Sequence, residues 1–221
     1  HTRYWRDWSS DVCSSDLSSS PSSSSSSGTL RGQRDLKAKV VANRIVGGEQ
    51  STEGEFPYYV EVGYGCGGAL IAPQVMLYAA HCTPSLGAGT SVQVGAYKAQ
   101  STQYGVKRKC TKVVDHPNYN KRTMDNDFAL CKLNAPVTLD DDRAILVLNE
   151  EDSVPATGED LIVMGVGALK EGGNSPQFLH NVTVPTISNT KCNKGSYYGG
   201  EITDNMLCAG FDEGKKDSCQ G

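Results

Sequence analysis

Gly67-Gly-Ala-Leu-Ile71, Ala72-Pro-Gln74 and Val75-Met-Leu-Tyr-Ala-Ala-His81-Cys82 follow one another without a gap. Two short apolar runs flank a proline-containing turn, the pattern of consecutive β-strands with a buried face. The second run, Val75 to Ala80, delivers a histidine at its end, and a cysteine follows at once. A histidine so placed sits at the lip of a core, held by packing yet in reach of solvent. Taken alone, the pair reads as a buried histidine beside a structural cysteine. The rest of the chain changes that reading.

Outward from this stretch the text stays β-rich. Tyr58-Tyr-Val-Glu-Val-Gly63 alternates, and Ser91-Val-Gln-Val-Gly95 forms another strand pattern. Lys109 to Asp115 and Asp127 to Leu133 are separated by the turn-rich His116-Pro-Asn-Tyr-Asn120. About six short strands with frequent turns predict a small antiparallel barrel. Val137 to Pro155 reads as a connector. A second β region runs from Asp160-Leu-Ile-Val-Met164 through Asn181-Val-Thr-Val184 to Met206-Leu-Cys-Ala-Gly210, with one helical turn between Thr186 and Asn193. The expected fold is therefore all-β, two lobes joined by a connector.

Composition excludes several function classes. The 221 residues carry a net charge of −4 and 38% hydrophobic residues. No basic stripe is legible, which argues against a nucleic-acid partner. No apolar run reaches membrane-spanning length, and His1 to Leu17 lacks the apolar core of a signal peptide. The 8 cysteines include no Cys-x-x-Cys pair, so wide-spaced disulfides in an oxidising compartment are expected instead of zinc or redox chemistry.

The amino-terminal part reads differently. Residues 1–27 end in a serine tract that cannot bury apolar surface and should be disordered. His1 to Leu17 has the look of translated adaptor sequence, so Cys13 is set aside. Residues 28–44 are polar and mixed in charge. Arg44 then precedes a sudden apolar pair in Ile45-Val-Gly-Gly48, either a loop entering a strand or a cleavage site that frees the amino group of Ile45.

Two further pieces bear on His81. Asp127 opens an apolar strand in Asp125-Asn-Asp127-Phe-Ala-Leu130, 46 residues downstream. A carboxylate at the mouth of a buried strand needs a partner, and an imidazole suits it. The last residues read Asp217-Ser-Cys-Gln-Gly221.

Arg44-Ile-Val-Gly-Gly48, Ala79-Ala-His81-Cys82, Asp125-Asn-Asp127-Phe-Ala-Leu130 and Asp217-Ser-Cys-Gln-Gly221 occur in the order and approximate spacing of the trypsin-like serine proteases. Cys66-Gly-Gly-Ala-Leu70, His116-Pro-Asn-Tyr119 and Ile202-Thr-Asp-Asn-Met-Leu-Cys-Ala-Gly210 also resemble that family. The resemblance covers residues 44–221. It implies two antiparallel six-stranded β-barrels of the chymotrypsin type, the second incomplete here, preceded by a propeptide at 28–44.

It also implies roles. His81 would be the general base and later the general acid, and Asp127 would orient its ring and stabilise the imidazolium. Arg44–Ile45 would be the activation bond of a secreted, extracellular zymogen. Asp217 would floor the specificity pocket and select a substrate Arg or Lys. Gly221 would lend a backbone N–H to the oxyanion hole. Partners would be protein or peptide substrates and protease inhibitors, with no cofactor, no metal, no membrane and a monomeric state. Cys66–Cys82 and Cys192–Cys208 match family bridges. Cys110–Cys131 is not a common family pair and is expected from the hairpin around His116. Cys219 lacks its downstream partner.

The departures are specific. In the family an aspartate and the nucleophilic serine follow the position of Gly221 directly, and neither stands within these residues, so residues 1–221 by themselves are expected to be inert. Ser218 is no substitute, because its place is beside the pocket floor. Gly165-Val-Gly167 lacks the tryptophan usual between these glycines. The loop from Ala96 to Lys109, where many relatives bind calcium, holds no Asp or Glu, so no calcium is expected there. Asn181-Val-Thr183 is a glycosylation sequon on a strand. Other functional classes are a non-catalytic homologue acting as a binding module, and a Ser-rich adhesion or stalk protein resting only on Ser18 to Ser27.

Overall fold

The computed structural model describes residues 4–5, 48–63, 66–101, 103–167, 176–195 and 198–211. Its first lobe is a closed six-stranded antiparallel barrel. The strands are β3 (Tyr59–Gly63), β4 (Cys66–Ala72), β5 (Val75–Tyr78), β6 (Ser91–Val94), β7 (Val106–Asp115) and β8 (Ala129–Leu133), in the order β3-β4-β5-β8-β7-β6. Alternation drives the closure. On β8, Ala129, Cys131 and Leu133 point into the core while Leu130 and Lys132 point out. Val60, Leu70, Met76, Val92 and Val94 fill the interior from the other strands. Gly68 lies opposite Tyr78, and a Cβ there would come within 2.6 Å of the Leu77 carbonyl oxygen. Glycine is what lets β4 and β5 approach so closely.

Among the described residues, the second lobe is an open sheet. β10 (His180–Ile187) is its centre. It pairs antiparallel with β9 (Asp160–Gly165), with β11 (Met206–Ala209) and with the short β2 (Glu49–Gln50). Val182, Val184 and Ala209 form its small core with Leu161 and Val163. An α-helical turn, α1 (Asn189–Cys192), is capped by the Ser188 side chain. β1 (Tyr4–Trp5) pairs in parallel with β11, a pairing that the Ser-rich composition of residues 1–27 does not suggest. Among the described residues, no helix is long and apolar enough to cross a membrane.

Two expectations at strand ends need correction. The run Val75 to Ala80 ends as a strand at Tyr78, and His81 stands in a 3-10 helix, Ala80–Ser85. The turn begins where the Cys82 N–H reaches the Ala79 carbonyl. β8 likewise begins at Ala129, not at Asp127, because Asn126 adopts a positive φ of 54° and Phe128 bonds back to its carbonyl.

The sequon meets a buried asparagine. Asn181 is 8% exposed and its amide donates to Ser51 Oγ at 3.1 Å. A glycan has no access to a side chain so engaged. The loop after β6 is gripped from the outer face of the barrel, because Val60, Val62, Val92 and Val94 take the interior and leave Glu61 and Gln93 on the other side. Glu61 accepts the Gln100 N–H at 3.0 Å, and Gln93 donates to the Tyr104 carbonyl.

Burial of tyrosine makes the fold sensitive to alkali. Tyr59 is 3% exposed, and burial, then the charge of Glu61, pushes its phenol well above the usual tyrosine range. An unfolded tyrosine ionises near pH 10. Above that pH the unfolded chain binds fewer protons than the folded one, so stability falls as pH rises. Its contribution is fully present below about pH 10 and is lost toward the folded value. Urea unfolding of wild type and Tyr59→Phe at about pH 9 and 11 should show a smaller alkaline loss in the variant, by about 1.4 kcal/mol. Equal losses in both would show that Tyr59 does not carry the effect.

Candidate active site

Antiparallel pairing brings the site together. Tyr78 on β5 faces Ala129 on β8. The chain leaving β5 and the chain entering β8 therefore lie at the same end of the barrel. His81 comes three residues after Tyr78, and Asp127 two before Ala129. The His81 ring Nδ1 lies 2.7 Å from Asp127 Oδ2, and the His81 backbone N–H donates to Asp127 Oδ1 at 2.8 Å. Both carboxylate oxygens are thus committed to one residue, which fixes the ring and its backbone together.

The two side chains differ in exposure. Asp127 is 5% exposed, whereas the His81 side chain is 27% exposed. An ionised carboxylate can only accept, so Nδ1 donates and the neutral ring keeps its lone pair on Nε2. Such a ring can take a proton at Nε2 while the buried carboxylate stabilises the resulting cation. Tyr119 packs near the same carboxylate. Burial, followed by the charges of Asp127 and Asp115, raises its phenol above the ordinary range.

The helix that bears His81 is held on both sides. Cys82 is bonded to Cys66 on β4, with a Cα separation of 6.4 Å. Closing a ring of this size stabilises a fold by about 3 kcal/mol. Beyond it, Thr83 donates to Asp115 at 2.6 Å, and the Tyr78 hydroxyl lies 3.0 Å from Thr83 Oγ1. Cys66, His81 and Cys82 gather within 4.8 Å, a spacing that could hold a metal. With both sulfurs in the disulfide, neither offers the thiolate a metal needs. Cys110–Cys131 joins β7 to β8 at a Cα separation of 5.7 Å, and Cys192–Cys208 joins α1 to β11 at 6.7 Å. Each bridge lies inside one lobe.

Arg44, Ile45, Asp217 and Gly221 lie outside the described residues, as do Cys13, Ser218 and Cys219. Sequence reasoning missed the backbone bond from His81 to Asp127, and it missed the contacts of Asp125. Asp125 Oδ1 accepts from Thr203 Oγ1 at 2.6 Å and from Asn205 Nδ2 at 3.2 Å. No local pattern could have revealed partners so distant in sequence.

A family model described as Trypsin matches residues 45–221. The chain is 38% identical over 184 residues to Trypsin of Sus scrofa, covering 81% of this chain and 77% of that protein. It is 39% identical over 184 residues to Trypsin V-A of Rattus norvegicus, covering 80% and 71%. Trypsin 5G1 of Aedes aegypti is 38% identical over 185 residues, covering 81% and 69%. A closed six-stranded barrel, a second sheet beside it and this extent of identity agree: the chain belongs to the trypsin family of chymotrypsin-fold serine proteases.

Proposed function

We infer that the chain belongs to a secreted serine endopeptidase that cleaves after Arg or Lys. The observation that carries this is the His81–Asp127 pair, buried carboxylate against half-buried imidazole at 2.7 Å. His81 Nε2 takes the proton of an attacking hydroxyl and returns it to the leaving amine. Asp127 keeps the productive tautomer and stabilises the imidazolium. The reaction forms an acyl-enzyme ester, releases the amine and then hydrolyses the ester.

The finer assignments rest on the motifs. Asp217 floors the pocket, and its carboxylate selects a cation because either guanidinium or ammonium compensates its desolvation. Gly221 offers one oxyanion donor. Cleavage of Arg44–Ile45 activates the zymogen.

The test is to express the full-length protein, cleave it after Arg44 and assay it on arginyl, lysyl and phenylalanyl esters. Hydrolysis of the first two, dependent on that cleavage, is expected. A folded, cleaved protein with no turnover would favour the non-catalytic homologue.

A further inference from the structure

We propose that Asp125 is a positioning residue that couples the second lobe to the carboxylate of Asp127. It sits on the first lobe, in the loop between β7 and β8. Its partners Thr203 and Asn205 are 78 and 80 residues away, in the turn that leads into β11. Oδ1 accepts from both, and Oδ2 accepts from Asn126 Nδ2 at 3.1 Å. One carboxylate thus takes three donors, two of them across the lobe boundary.

The loop around it holds an unfavourable backbone. Met124 and Asn126 have φ of 55° and 54°, on either side of Asp125. Asparagine tolerates this left-handed region, but methionine does so at a cost that surrounding contacts must offset. Local bonds supply part of the restraint. The Asn120 N–H reaches the Asp125 carbonyl at 3.0 Å, and Asn126 Nδ2 reaches the Asn118 carbonyl at 3.3 Å. The remainder comes from the second lobe. Asp127 follows immediately, so relaxation of either left-handed residue rotates the peptide that aims its side chain at His81.

The far side of the latch is rigid. Asn189 Nδ2 donates to the Thr203 carbonyl at 3.0 Å and to the Met206 carbonyl at 2.9 Å, and Cys192–Cys208 ties α1 to β11. An anchored turn therefore grips a strained loop, and the strained loop presents the carboxylate. The consequence for catalysis rests on the function proposed above. The coupling itself is between hydrogen bonds of the 221-residue chain and is measurable without turnover.

The experiment is proton NMR of that chain, following the ring Nδ1–H of His81 and its exchange with water. Asp125→Ala should speed that exchange by about tenfold to a hundredfold, the effect of losing charge-assisted bonds. Thr203→Val, which removes one donor at constant shape, should act in the same direction but less. Asp125→Asn keeps an acceptor for Thr203 and should restore most of the protection. Ser51→Ala, which breaks the buried Ser51–Asn181 bond, should leave the ring proton unchanged. Unaltered shift and exchange in folded Asp125→Ala would overturn the proposal. If that variant does not fold, unaltered exchange in Thr203→Val would do the same. An inactive complete enzyme with these shifts intact would count against the function alone.

Discussion

Asp127→Asn in the complete, activated enzyme should lower kcat by about 10²–10⁴-fold on an arginyl ester while changing KM little. The amide is close to the carboxylate in size, so the first barrel should fold normally. Its two terminal atoms are no longer equivalent, one being an oxygen and the other an NH2. One position now donates where both His81 Nδ1–H and the His81 backbone N–H require an acceptor. The ring is then driven toward the tautomer with its lone pair on Nδ1, and Nε2 cannot accept the nucleophile's proton. The loss should fall on kcat, because the pair acts in the transition state and not in substrate binding. Single-turnover acylation at several pH values is the measurement. A variant that acylates within threefold of wild type would remove Asp127 from the mechanism.

Asp217→Ser, in the same complete enzyme, should reduce kcat/KM on arginyl and lysyl esters by about 10²–10³-fold. A substrate cation entering a pocket without its counter-charge gives up its hydration and gains nothing in return. The His81–Asp127 pair is untouched, so esters with small apolar side chains should be cut as well as before. The discriminating quantity is the ratio of kcat/KM between arginyl and alanyl esters. An unchanged ratio would mean that Asp217 is not the pocket floor.

Alternation and turn residues made the first barrel legible. Ala129, Cys131 and Leu133 face inward as their spacing requires, and Ala72-Pro-Gln74 turns the chain between β4 and β5. The His81 helix was not legible, because Ala79 and Ala80 continue the apolar run and suit a strand or a tight helix equally. Only the turn bond from Cys82 to Ala79 decides between them. His81 and Asp127 were found through the motifs around them, since neither residue alone distinguishes a catalytic group from a structural one. Asp125 and Asn181 were opaque for a different reason. Their partners lie 78 to 130 residues away, and register between distant strands is a property of the folded sheet, not of any local window.

The placement of the disulfides bears on how the protein is made. Among the described residues, each bridge spans 16 or 21 positions and stays within its own lobe. In the secreted protein proposed above, the chain would enter an oxidising lumen from its amino-terminal end, and domains fold as units in that order. By the time Leu133 emerges, all six strands of the first barrel and both of its cysteine pairs are present. Oxidation of these two pairs can then be completed before the second lobe is synthesised. Cys192 and Cys208 emerge later as a closely spaced couple, so their mispairing with the four cysteines of the first barrel is disfavoured by timing as well as by geometry.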